Sequence, residues 1–200
     1  MRTRFAAIAI GLALAVSLAR TAHTQAPAPA APPTSTSIVV ASPTYVSIPM
    51  EITVNRPAAE VWKRVGGYCA IAEWFQIPNC TITQGKDNEF GAVRSVANEV
   101  LVGKTELSYT YTQTVREGRP YNLYHGTLEA RPVTATTSKL IYTLVYDNST
   151  LGDDAAKEKD RMNRTAQFTR ALQNMKTLAE GGTLPPPPPR GGGAGGGRGN

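Results

Sequence analysis

The stretch YVSIPMEITV at 45–54 alternates. Val46, Ile48, Met50, Ile52 and Val54 fall on one side, and Ser47, Glu51 and Thr53 on the other. A period of two with one apolar side is the pattern of a strand buried on one face. At NRPAAEVWKRVGG the period changes: Ala58, Val61, Trp62 and Val65 recur at helical spacing, Pro57 suits a first-turn position, and Gly66-Gly67 ends the run. This predicts a short amphipathic helix with Trp62 in its buried stripe. YCAIAEWF (68–75) reads as a second short helix, broken by Pro78.

Strand patterns then crowd together at 80–85, 91–98, 99–102, 106–114, 121–133 and 138–148. Turn signals at Lys86 to Asn88, Gly103-Lys104, Glu117 to Pro120 and Thr134 to Thr137 separate them, which predicts an antiparallel meander. From Asp153 to about Glu180 the apolar residues Ala155, Met162, Ala166, Phe168, Ala171, Leu172, Met175, Leu178 and Ala179 keep helical spacing. Asp153 and Asp154 suit the positive end of that helix, and Gly181-Gly182 ends it. A sheet with one apolar face and a long helix with one apolar stripe satisfy each other by packing together, so the class is α+β.

The ends of the chain differ from this middle. Residues 1–26 combine Arg2 and Arg4 with an apolar run from Phe5 to Ala19 and then small residues, the pattern of a secretory signal peptide. No cysteine stands near the cleavage region, which argues against a lipoprotein. The Pro/Ala/Ser/Thr-rich stretch 27–44 reads as a linker, and the Pro/Gly-rich stretch 183–200 as a disordered tail. GGGAGGGRG lies in that tail with no strand or helix beside it, so it is not a phosphate loop. One domain, 45–182, remains.

The formal charge of +6 belongs mostly to these ends. Arg2, Arg4, Arg20, Arg190 and Arg198 lie there, leaving 16 of the 21 basic residues against 15 acidic ones. A basic nucleic-acid footprint is therefore absent, and no stable membrane span is expected after signal removal. The expected location is exported, periplasmic or secreted. Sequons at Asn79, Asn148 and Asn163 matter only in a eukaryotic secretory pathway.

One strand, two short helices, six strands and a long C-terminal helix follow the order of the helix-grip fold. The chain resembles the START-like superfamily called SRPBCC, in its polyketide cyclase/dehydrase-like branch. The resemblance is carried by ITVNRPAAEVWKRVGGYCAIAEWF (52–75), GAVRSV (91–96) with Glu99 after it, YNLYHGTLEARP (121–132) and the last helix. It implies a seven-stranded curved antiparallel sheet around the long helix, with a cavity between them for a hydrophobic or amphipathic small molecule. It does not imply one reaction. The resemblance also implies that Arg94 and Glu99 reach the cavity, as an arginine and a glutamate do in ligand-sensing members. It further places Trp74 and Phe75 near the cavity entrance. The connection after GAVRSV spans only about Ala97 to Val100, so the gating loop of the plant receptors is missing.

The residues themselves add three expectations. Leu107, Tyr109 and Tyr111 share one side of their strand, as do Leu140, Tyr142, Leu144 and Tyr146 of theirs. With Tyr124 they would make a wall apolar in body with hydroxyls at the tips, which suits an amphipathic ligand. Cys69 and Cys80, the only 2 cysteines, most simply form a disulfide in an exported protein; free thiols and metal ligation are the alternatives. His125 faces outward with Thr127, Glu129 and Arg131, which leaves no histidine for a nucleophile and base pair. The leading reading is a ligand-binding protein without a cofactor, metal or catalytic group. A polyketide cyclase/dehydrase-like enzyme acting on an aromatic or lipid-like substrate is the alternative.

Overall fold

The computed structural model describes Val40, residues 42–115 and residues 122–187. The signal peptide, all but a few residues of the linker, the turn at Glu117 to Pro120 and the tail beyond residue 187 lie outside the described residues.

The alternating segment forms β1 (Tyr45–Val54), followed by α1 (Ala58–Val65) and α2 (Ile71–Trp74). The strands β2 (Ile82–Gln84), β3 (Val93–Arg94), β4 (Glu99–Lys104), β5 (Ser108–Gln113), β6 (Tyr124–Pro132) and β7 (Ser138–Asp147) come next, and α3 (Asp154–Ala179) closes the order. The sheet is antiparallel throughout, in the order β1-β7-β6-β5-β4-β3-β2. Hairpins join neighbouring strands from β2 to β7, and β1 pairs along its whole length with β7. The N-terminal strand therefore closes on the strand that leads into α3. Between Leu101 and Gly103 of β4 the register shifts by a bulge, which bends the sheet there.

Burial follows the period-two reading. Ile48, Met50 and Val54 of β1, and every second residue of β5, β6 and β7, are buried on the inner face of the sheet. Gly126 of β6 stands opposite Tyr111, and a Cβ there would lie 2.4 Å from the Tyr111 ring. The missing side chain is what lets that ring lie across the strand.

The long helix differs from its sequence pattern. Its buried residues are Phe168, Ala171, Leu172, Asn174, Met175 and Leu178, all in the C-terminal half. Ala155, Met162 and Ala166 are exposed, because the first half meets the sheet through Asp160 and Arg164 instead of an apolar stripe. Asp153 caps the helix by accepting from the Ala156 amide at 2.9 Å. Gly181, at φ 87°, turns the chain out, and the Gly182 amide donates back to the Thr177 carbonyl at 2.8 Å.

Trp62 also departs from expectation. It is half-buried, tilted on Tyr109 at 5.7 Å, and it borders a groove of about 390 Å³ with Gly67, Asn88, Lys104 and Glu106. The indole lies over Gly66, which has no side chain to push it inward.

Cys69 and Cys80 are disulfide-bonded, tying the start of α2 to the approach to β2. With 11 residues of separation, the bridge contributes about 3 kcal/mol on the chain-entropy account. Reduction, or Cys69→Ser with Cys80→Ser, is expected to lower unfolding stability by about that amount in urea denaturation. An unchanged midpoint would contradict it.

Candidate functional site

Alternation on β4 to β7 gathers the polar side chains onto the face beneath α3. Arg94 ends β3 and faces inward, fully buried. Its Nε donates to Glu99 Oε2 at 2.6 Å, its Nη2 lies 2.5 Å from the same oxygen, and its Nη1 donates to the Tyr68 carbonyl at 2.6 Å. Gln113 Nε2 donates to the other Glu99 oxygen at 3.0 Å. Register explains the meeting: Arg94 pairs with Glu99, and Glu99 with Gln113.

Aromatic rings surround this pair. The guanidinium carbon of Arg94 lies 4.4 Å from the Tyr68 ring centre, 4.8 Å from that of Tyr111 and 5.8 Å from that of Tyr109. Burial works against the charge, but Tyr109 and Glu99 outweigh it and hold the arginine above its ordinary pKa. Arg94 therefore stays charged.

A second polar group sits under the first half of α3. Arg164 Nε donates to Asp160 Oδ2 at 2.8 Å and Nη1 to the Tyr124 hydroxyl at 3.2 Å, while the Tyr146 hydroxyl donates to Asp160 Oδ2 at 2.7 Å. Burial pushes Arg164 down to about 10, which still leaves it charged at neutral pH. Between the two groups the Tyr142 hydroxyl donates to that of Tyr111 at 3.0 Å.

The apolar side is built by α2 and α3. Trp74 packs on Phe75 at 5.2 Å and on Tyr142 at 6.3 Å, and Phe168 meets Phe75 at 5.2 Å and Tyr142 at 4.7 Å. Asn174 Nδ2 donates to the Trp74 carbonyl at 2.9 Å, which fixes α2 against α3. In this region the Tyr68 and Tyr109 hydroxyls and Trp74 Nε1 are buried without a hydrogen-bond partner, and Arg94 Nη2 meets Glu99 as an ion pair without hydrogen-bond geometry.

The structure thus brings Arg94, Glu99, Tyr109, Tyr111, Tyr124, Tyr142, Trp74 and Phe75 into one region, all buried except the half-buried Phe75. Sequence reasoning did not single out Tyr68, Gln113, Asp160, Arg164 or Phe168 as site residues, and it reached Tyr146 only as part of the tyrosine wall. Gln113 was within reach, since it continues the Tyr109 and Tyr111 alternation; the helix pair was hidden by its polar composition. His125 lies half-buried on the opposite face, and burial lowers its pKa. Among the described residues no group of three or more His, Cys, Asp or Glu is placed to hold a metal ion.

A seven-stranded antiparallel sheet gripping one long C-terminal helix defines a helix-grip, START-like domain. The chain belongs to the polyketide cyclase / dehydrase and lipid transport family, whose sequence pattern matches residues 45–180. Among solved structures, a protein from Thermobifida fusca is 21% identical with a TM-score of 0.56, over 69% of this chain and 97% of that one. The Zhui aromatase/cyclase from Streptomyces sp. R1128 is 15% identical with a TM-score of 0.52, over 70% of this chain and 100% of that one. Norcoclaurine synthase from Thalictrum flavum is 13% identical with a TM-score of 0.50, over 70% and 96%. At these identities the likeness is one of fold. No curated protein matches the chain in sequence.

Two outcomes test the buried pair and the tyrosine wall. Glu99→Gln leaves Arg94 buried with its charge uncompensated, an expected loss of about 3–5 kcal/mol in urea denaturation. The double variant Arg94→Met with Glu99→Leu is expected to regain most of that loss. The second outcome concerns alkaline pH. Burial raises the pKa of Tyr68, Tyr109, Tyr111, Tyr124, Tyr142 and Tyr146. The unfolded chain then binds fewer protons than the folded one above about pH 10, so stability falls as pH rises. The contribution is fully present below the unfolded value and lost as pH passes through the folded ones. Absorbance at 295 nm should show these tyrosines ionising together with unfolding; independent titration near pH 10 in folded protein would contradict it.

Proposed function

We propose that this is an exported small-molecule-binding protein holding a hydrophobic or amphipathic ligand between the sheet and α3. One observation carries the reading: six buried tyrosines, with Trp74 and the half-buried Phe75, form one wall in which the Tyr68 and Tyr109 hydroxyls and Trp74 Nε1 have no hydrogen-bond partner in the protein. Buried polar groups are nearly always satisfied, and a ligand or water supplies what side chains do not. In this reading α2 is a lid. Trp74 and Phe75 close the interior, and the Cys69–Cys80 bridge limits how far α2 lifts when a ligand enters.

Tyrosine hydroxyls held protonated by burial act as hydrogen-bond donors at neutral pH and not as bases, which favours holding a molecule over transforming it. Export is supported by the disulfide and by the basic and apolar pattern of residues 1–26. Among the described residues no helix is long and apolar enough to cross a membrane.

A second reading has its own support in the family and in the aromatase/cyclase of similar fold. In it the same hydroxyls and Arg94 orient carbonyl oxygens of a polyketide-like substrate while it cyclises.

Native mass spectrometry of the protein purified gently from an exporting host distinguishes the two. A binding protein is expected to release one stoichiometric apolar small molecule on denaturation, lost when Tyr109 or Tyr124 is replaced by tryptophan. An empty protein that turns over an added poly-β-ketone would favour the enzyme.

A further inference from the structure

We propose that the groove between the end of α1 and the hairpin joining β4 to β5 is a second binding site, one that takes a neutral sugar ring. It is separate from the interior beneath α3 and does not rest on the ligand-binding reading above.

The groove encloses about 390 Å³, a volume in the range of small-molecule sites. Leu101 and Tyr109, both buried, lie at its floor, and the half-buried Trp62 forms one wall. That wall is fixed. A Cβ on Gly66 would come within 2.3 Å of the indole, so the ring covers the glycine backbone, and its contact with the Tyr109 ring at 5.7 Å sets the tilt. Gly66 itself has φ -83°, which any residue adopts, so its missing side chain serves the indole and not the turn. The part of the indole that lines the groove is apolar surface left open, and a ligand that covers it gains the burial a core tryptophan would have had.

The rim is polar and held in place. Asn88 Oδ1 accepts from the Tyr68 amide at 3.1 Å, and Lys104 Nζ donates to the Asn88 carbonyl at 2.7 Å. The Asn88 side-chain amide hydrogens and the other ammonium hydrogens of Lys104 remain as donors, and the exposed Glu106 beside them is an acceptor. Ser108, whose hydroxyl shares a hydrogen bond of 2.7 Å with Thr105, completes the set as donor or acceptor. A hydroxyl both donates and accepts, so it meets such a rim at every point. Lys104 and Glu106 offset each other in charge, so neither an anion nor a cation gains from the pair. A sugar ring carries hydroxyls around its edge and C–H groups on its face, and those C–H groups suit the negative face of an indole. One molecule thereby matches wall and rim together.

Chemical-shift titration of the full chain, purified from an exporting host, tests this. The chain has 2 tryptophans, so Trp62→Phe assigns both indole N–H resonances. With maltotriose or chitotriose at millimolar concentration, the Trp62 resonance is expected to move and that of the buried Trp74 to stay. The cationic trimer of glucosamine and the anionic trimer of galacturonate are expected to bind no tighter than the neutral sugars. Glu106→Ala, at an exposed position, is expected to weaken binding about fivefold through the lost hydrogen bonds. Gly66→Ala, whose methyl displaces the indole from its seat, is expected to weaken it roughly tenfold. A Trp62 resonance unmoved by both neutral sugars, or a charged trimer that binds much tighter than they do, would overturn the proposal and leave the reading of the interior untouched. Retention on the matching insoluble polymer assigns the sugar to a glycan chain, and binding of the trimers without retention assigns it to a free saccharide.

Discussion

A charge buried in a protein must be answered where it stands, and Arg94 imposes that condition on everything around it. Its guanidinium is fully enclosed at the end of a two-residue strand. Glu99 answers the charge, the Tyr68 carbonyl takes another donor, and two tyrosine faces lie within 5 Å. These partners come from β4, from the link between α1 and α2, and from β5. The pair therefore connects the thin edge of the sheet to the segment that leads into α2. Without it, β2 and β3 are too short to hold that edge, since two or three ladder residues offset little chain entropy.

The same logic recurs under α3. The C-terminal half of the helix packs by apolar burial, with Phe168, Leu172, Met175 and Leu178 against the sheet. The N-terminal half packs by charge and hydroxyl, with Asp160 and Arg164 against Tyr146 and Tyr124. One helix thus has a dry end and a polar end, and the tyrosine wall lies below both. Amphipathic character in this interior is a property of the scaffold, arising where apolar rings and their hydroxyls meet two neutralised ion pairs.

The disulfide holds α2, a helix of four residues, against the start of β2. So short a helix is marginal by itself, because a single turn repays little of its nucleation cost. The bridge and the Asn174 hydrogen bond to the Trp74 carbonyl supply the constraint its length cannot. The placement of Trp74 and Phe75 thereby depends on these two contacts.

Much of the fold was legible along the chain. Alternation in β1 and β5, and less strictly in β7, where Ile141 and Val145 lie on the outward side, separates inward from outward residues because neighbouring side chains in a strand point to opposite faces, whatever the partner strand. The change of period at Pro57, the glycine stop after α3 and the two cysteines were equally local signals. The inward placement of Tyr109, Tyr111, Tyr124 and Tyr142 followed from that alternation alone. Other features were not local. Met162 and Ala166 keep helical spacing but stand in solvent, because spacing specifies a stripe and not what lies opposite it. Trp62 reads as core, yet Gly66 offers the indole a surface seat. Tyr68 and Gln113 join the site only because β3, β4 and β5 align Arg94, Glu99 and Gln113 in one register row. The sequence by itself determined which residues share a face, since that depends on backbone geometry one residue at a time. The tertiary structure alone decided that Arg94 and Glu99 are buried between the Tyr68 carbonyl and Gln113, and that Asp160 with Arg164, an i,i+4 pair on α3, meets Tyr146 and Tyr124 of the sheet. Such meetings depend on distances across strands and layers that no local pattern encodes.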